Sequence, residues 1–147
     1  MVDALHRASR WVRPPLGCVI DLRPAGGIPQ VELGLADGAV VPVGGLVADE
    51  ERSVRHANAD AALRTALARG FLSLENEAEF SFYRYPESPD DLRDYLAAKW
   101  RHTRLDAATH ARAAALLRQY PAGKLWLREQ VVIRLLRPRE DRVVFQA

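Results

Sequence analysis

The chain has 147 residues, 48% of them hydrophobic and 27% charged, with a formal net charge of +2. That length suits one domain over 1–147, able to bury about two-thirds of its unfolded surface without covalent staples. No apolar run approaches the roughly 20 residues of a membrane span, and the single cysteine, Cys18, excludes an internal disulfide and a thiolate-built zinc site.

A lone cysteine suits a reducing compartment, so the cytoplasm is the expected location. Arg7, Arg10 and Arg13 are followed by no long apolar segment or small-residue cleavage site, so no secretory signal is expected. Charge is uneven along the chain. Residues 74–94 hold seven acids against two arginines, a local net of −5, whereas beyond Ala97 eleven bases face four acids, a local net of +7. The two segments can neutralise one another within the fold or across a dimer, and nucleic acid is not the expected partner.

In chain order, Ala4, Leu5, Ala8, Trp11 and Val12 recur at three and four and predict a helix that Pro14 and Pro15 end. The apolar run 16–22 predicts a buried strand, with Cys18 as an inert core thiol. Residues 31–43 read as a hairpin turning at Ala36, Asp37 and Gly38, and Pro42 places the second strand on an edge. A helix over about 49–69 follows, with Ala59, Ala62, Leu63, Ala66 and Leu67 inward and Gly70 at its C-terminal cap. Residues 71–74 and 78–85 alternate in the strand sense, separated by Glu75, Asn76 and Glu77, and read as a second hairpin or two short strands.

Ser88, Pro89, Asp90 and Asp91 form a helix start, and Leu92, Tyr95, Leu96 and Trp100 give that helix its buried side. A last helix from Asp106 carries Thr109, Ala113, Leu116, Leu117 and Tyr120 on one face, with Leu105 as a staple. The best-specified element is the strand 124–136. Leu125, Leu127, Val131, Ile133 and Leu135 share one face that only Glu129 interrupts, while Trp126, Val132 and Leu136 stand among Arg128, Gln130 and Arg134 on the other. Residues 143–145 read as a closing edge strand.

Chemical constellations are sparse. His56 and Asp60, four apart on a helix, are two ligands and do not make a metal site, so none is expected. Tyr83, Arg84 and Tyr85 at a strand end and Trp100, Arg101 and His102 at a helix end are the candidate ligand-binding residues, with His102 able to meet an anion or act as a base. No nucleophile-elbow pattern accompanies any serine, so no catalytic residue is assigned.

Taken together, ALHRASRWVRP (4–14) running into GCVIDL (17–22), FYRYPESPDDLRDY (82–95) and the terminal strand ending at Arg137 and Pro138 resemble the C-terminal part of class I S-adenosylmethionine-dependent methyltransferases. The first of these is similar to the helix and strand around that family's pattern aRvLrPGG. The departures are specific: Pro15, Leu16 and Gly17 replace the two glycines after proline, and the hairpin 31–43 is an addition. The family's glycine-rich turn and ribose-holding acid belong to a half that is missing here. Reading 19–27 as that turn puts Arg23, Pro24 and Ala25 where close backbone approach needs glycine, with a hairpin instead of a helix after it. The resemblance therefore implies a half-domain without a cofactor site.

The expectation is an α+β (or α/β-derived) domain, a mixed and largely antiparallel sheet with about four helices packed on it. Its expected role is a non-catalytic binding or assembly module with no cofactor, pairing with itself or a protein partner. The alternative is a small-ligand-binding protein or methyltransferase-related enzyme with a pocket near residues 83–85 and 100–104.

Overall fold

The computed structural model describes residues 2–12 and 17–139. The prolines predicted to end the first helix and the closing strand 143–145 lie outside the described residues. In chain order the elements are α1 (Val2–Trp11), β1 (Val19–Pro24), β2 (Gln30–Gly34), β3 (Val40–Gly45), β4 (Val47–Ala48), α2 (Glu50–Ala68), β5 (Leu72–Arg84), α3 (Pro89–Lys99), β6 (Thr103–Arg104), α4 (Ala107–Gln119) and β7 (Lys124–Pro138). This is an α+β architecture with a mostly antiparallel sheet. Among the described residues no helix is long and apolar enough to cross a membrane.

The long C-terminal strand organises the sheet. β7 hydrogen-bonds to β1, β2 and β5, and β3 extends the order from β2, so Pro42 does sit on an edge strand. β2 runs antiparallel to β7 with Gly34 opposite Lys124 and Glu32 opposite Trp126, and antiparallel to β3 with a bulge between Val31 and Glu32. The two-residue ladder β4–β6 is too short to show a period in sequence.

The described residues fall into two compact units. The first comprises those within 1–23, 55–79 and 132–147, and the second those within 24–54 and 80–131. In the second unit, Val31, Leu33, Leu92, Leu96, Leu125 and Leu127 form the centre of the core. Two caps build its helices. Ser88 accepts the Asp91 amide at 3.0 Å, and Asp106 accepts the Thr109 amide at 2.6 Å. In the first unit, Leu63, Ala66, Leu72 and Leu136 form the core, with Leu5, Val19, Leu67 and Phe71 packed on it.

Two expectations are corrected. Residues 71–85 do not break into two strands: β5 runs through because Glu75 pairs with Arg137 at 2.7 Å and Glu77 pairs with Arg134, so charges that interrupt the apolar pattern hold the ladder. β1 is not buried on both faces, since Ile20 is 60% and Leu22 58% exposed, and Cys18 precedes the strand and is exposed. The first helix has no buried residue, and Trp11 is 87% exposed; Leu5 packs on the core and His6 stacks on Phe71 with centroids 4.4 Å apart.

Candidate functional site

In the second unit the odd residues of β7, from Leu125 through Val131, are buried, and the even ones turn the other way. Glu129, the charge that breaks the apolar row, is among those buried. It is matched by Arg52 of α2, whose Nη2 lies 3.1 Å from Glu129 Oε1, 3.3 Å from the Gly27 carbonyl, and whose guanidinium stands 5.9 Å over the Trp100 ring.

The even face is built around Trp126. Its Nε1 donates to Glu32 Oε2 at 2.8 Å, while Arg128 donates to Glu32 Oε1 through Nε at 3.0 Å and Nη2 at 2.8 Å. Burial pushes the Glu32 carboxyl up, but the hydrogen bonds from Arg128 and Trp126 outweigh it and hold it below the usual carboxylate range. The same hydrogen bond raises Arg128, so the pair stays charged. The indole rests on Gly34, where a Cβ would stand 2.5 Å from Cη2 and Cζ3. Tyr83 and Tyr85 present their rings to it edge-on, with centroids at 5.8 and 6.1 Å, and lie 6.4 Å from one another at 19°. Tyr85 remains 63% exposed. Beside Trp126 a cavity of about 320 Å³ opens between Gly34, Leu35, Ala36, Gly38, Ala122 and Lys124.

The six sequence-selected residues occupy three places. Tyr83 and Tyr85 join Trp126. Arg84, of opposite parity, stacks its guanidinium 3.8 Å over Tyr95, which meets Trp100 edge-on at 6.3 Å. Arg101 and His102 line a separate cavity of about 70 Å³ with Val47, Asp49, Thr103 and Arg104. There, His102 Nδ1 lies 3.0 Å from Asp49 Oδ2 and 3.5 Å from Glu51 Oε2, and Nε2 is buried without a hydrogen-bond partner. The Arg52 amide, then His102, hold Asp49 below the ordinary carboxylate range. Asp60, four residues from His56 on α2, is engaged by Arg23 at 2.7 Å, and among the described residues no three metal-ligating groups converge. Glu32, Gly34, Trp126 and Arg128 were not selected from sequence, because only the β2–β7 register brings them together.

The first unit has a face of different chemistry. Asp21, Arg134 and Glu77 bond across β1, β7 and β5, with Arg134 Nη1 3.1 Å from Asp21. Burial works against the Arg134 charge, yet the hydrogen bonds it donates to Glu77 and Asp21 leave its pKa raised. Ile20 and Leu22, of the parity opposite to Asp21, are exposed, and Ile133 and Leu135, of the parity opposite to Arg134, are partly so. Leu74 is 45% exposed, and a hollow of about 130 Å³ is lined by Asn76, Glu77, Ala78, Ile133 and Leu135. Compared with protein-family models, curated proteins and solved structures, the chain matches none.

Proposed function

We propose that the chain is a non-catalytic binding and assembly module, a half-domain of methyltransferase-like plan, that pairs with a second copy of itself through the aliphatic sheet face of its first unit. One observation carries this reading: the first unit leaves Ile20, Leu22 and Leu74 60%, 58% and 45% accessible, and Ala78, Ile133 and Leu135 line a hollow with Asn76 and Glu77. In a two-fold pair the same patch is buried on both copies, so each exposed aliphatic side chain contributes twice. Covering half a side chain at each of Ile20, Leu22 and Leu74 contributes about 1 kcal/mol apiece, about 6 kcal/mol over two copies. Lost freedom on association offsets much of that, so the pair is weak and its population rises with protein concentration. The exposed thiol of Cys18 fits a cytoplasmic setting, where it stays reduced.

Light-scattering molar mass from the micromolar to the millimolar range, with and without S-adenosylmethionine, tests the reading. The expected result is a concentration-dependent dimer that ignores the ligand and is lost in Leu22→Glu. A monomer throughout overturns the assembly, and saturable S-adenosylmethionine binding overturns the loss of the cofactor site.

A second reading, small-ligand binding, is favoured by the cavity of about 320 Å³ beside Trp126, a residue whose ring two further exposed aromatic side chains meet edge-on. It is compatible with assembly, since it uses the second unit alone.

A further inference from the structure

Resting on the small-ligand reading, we infer that the cavity beside Trp126 takes a small molecule with a flat apolar body and one anionic group. The walls from Gly34, Leu35, Ala36, Gly38 and Ala122 offer no polar side chain. Trp126 contributes only its ring, because its N–H is committed to Glu32. That leaves the ammonium of Lys124, which faces Gly34 across the β2–β7 ladder and makes no ion pair among the described residues.

The nearby carboxylates do not compete for it. Both Glu32 oxygens are taken, one by Arg128 and one by Trp126, and Asp37 in the adjoining turn accepts the Ala39 amide at 2.9 Å. A cationic ligand would meet a like charge and find no free acid in the lining. A neutral one would leave the ammonium unused.

Size sets the body. At about 320 Å³ the cavity stands at the lower end of ligand sites, which run from roughly 300 to 1,000 Å³, so one or two fused rings fit. Small residues at positions 36, 38 and 122 keep that space open. A polyanion such as single-stranded nucleic acid needs several cations along a groove, and here there is one.

The test uses two probes with the same ring and opposite charge, 2-naphthoate and naphthalen-2-ylmethylammonium, followed by ¹H–¹⁵N NMR of the full chain. Naphthoate is expected to shift the Trp126 indole N–H and the Gly34 and Gly38 amides, binding up to about fivefold tighter than the ammonium probe at low salt. Lys124→Met, which keeps the aliphatic stem, should abolish the preference while retaining binding. Ala36→Trp should fill the cavity and block both probes, and Leu22→Glu should change nothing. Equal binding of both probes at these resonances overturns the anionic class and leaves the small-ligand reading standing. Absence of any shift at Trp126 overturns both, as does an oligothymidylate that moves the same resonances with steep salt dependence.

Discussion

Replacing Arg52 by methionine should destabilise the protein far more than its place in the first turn of α2 suggests. Arg52 and Glu129 are side chains only 12% and 10% exposed, 3.1 Å apart, and Glu129 sits in a row of otherwise apolar residues. At an effective dielectric constant of about 20, two unit charges at that separation attract by about 5 kcal/mol. Desolvation of both groups offsets most of this, so the intact pair contributes little net stability. Removing one partner is different. The carboxylate then stays buried without its counter-charge, at a cost of about 3–5 kcal/mol, a large share of the roughly 5–15 kcal/mol that holds a domain together.

For a chain of this size that corresponds to a melting temperature lower by roughly 6–20 °C. Glu129→Leu should cost less, because the guanidinium keeps the Gly27 carbonyl and the Trp100 ring. The double variant Arg52→Met/Glu129→Leu should return to within about 1 kcal/mol of the parent, since no buried charge remains. Urea unfolding of all four proteins, read by far-ultraviolet circular dichroism, gives the cycle. An Arg52→Met variant within about 1 kcal/mol of the parent, or single effects that add, would refute the reasoning.

Gly34→Val should cost about 1–3 kcal/mol and alter the Trp126 indole resonance, because its Cβ would enter the ring it now supports; an unchanged resonance counts against the close approach. Adjacent lysines should separate the two faces of β7: Val132→Lys, at a buried position, should cost more than about 3 kcal/mol, whereas Ile133→Lys should fold within about 1 kcal/mol of the parent and lose self-association. Equal losses from the two would show that both positions are covered. In acid, four carboxyls act together. Glu32 is held low by Arg128 and Trp126 against its burial, Asp49 by the Arg52 amide, Asp90 by His110 and Asp106 by the Thr109 amide. A depressed folded pKa stabilises the native state above the unfolded value, so this contribution is complete above about pH 5 and disappears as pH falls below about 4. Urea midpoints should drop there, and less steeply in Glu32→Gln; midpoints independent of pH from 5 to 3 would contradict it.

Helices were the legible part of the sequence. Ser88, Asp106 and Gly70 marked starts and a stop by chemistry local to the backbone, and the α2 inner face followed from spacing alone. What sequence did not show depended on partners far along the chain. Glu75 and Glu77 looked like a break in β5 because Arg137 and Arg134 lie 62 and 57 residues away. Glu129 looked like an interruption because Arg52 stands 77 residues before it. The aromatic face was half visible: Tyr83 and Tyr85 were singled out, but Trp126 and Glu32, separated by 94 residues, meet only through strand register.

The remaining misreading concerns β7, and it bears on function. Alternation from Leu125 to Leu135 predicts one buried face for the whole strand. The structure buries Leu125, Leu127, Glu129 and Val131, then changes parity and buries Val132 and Leu136, leaving Ile133 and Leu135 partly exposed. The sequence permits the change because Val131, Val132 and Ile133 are three apolar residues in succession, so either parity can be inward there without exposing or burying a charge. One strand can thereby serve two cores. It also leaves two open faces of unlike chemistry: Lys124, Trp126, Arg128 and Gln130 in the second unit, suited to a ligand with a ring and a charge, and Ile133 and Leu135 in the first, suited to an apolar surface. A strictly alternating strand would have given both units the same kind of open face. The three consecutive apolar residues are what let one element present both faces, the one proposed to bind a ligand and the one proposed to pair two copies.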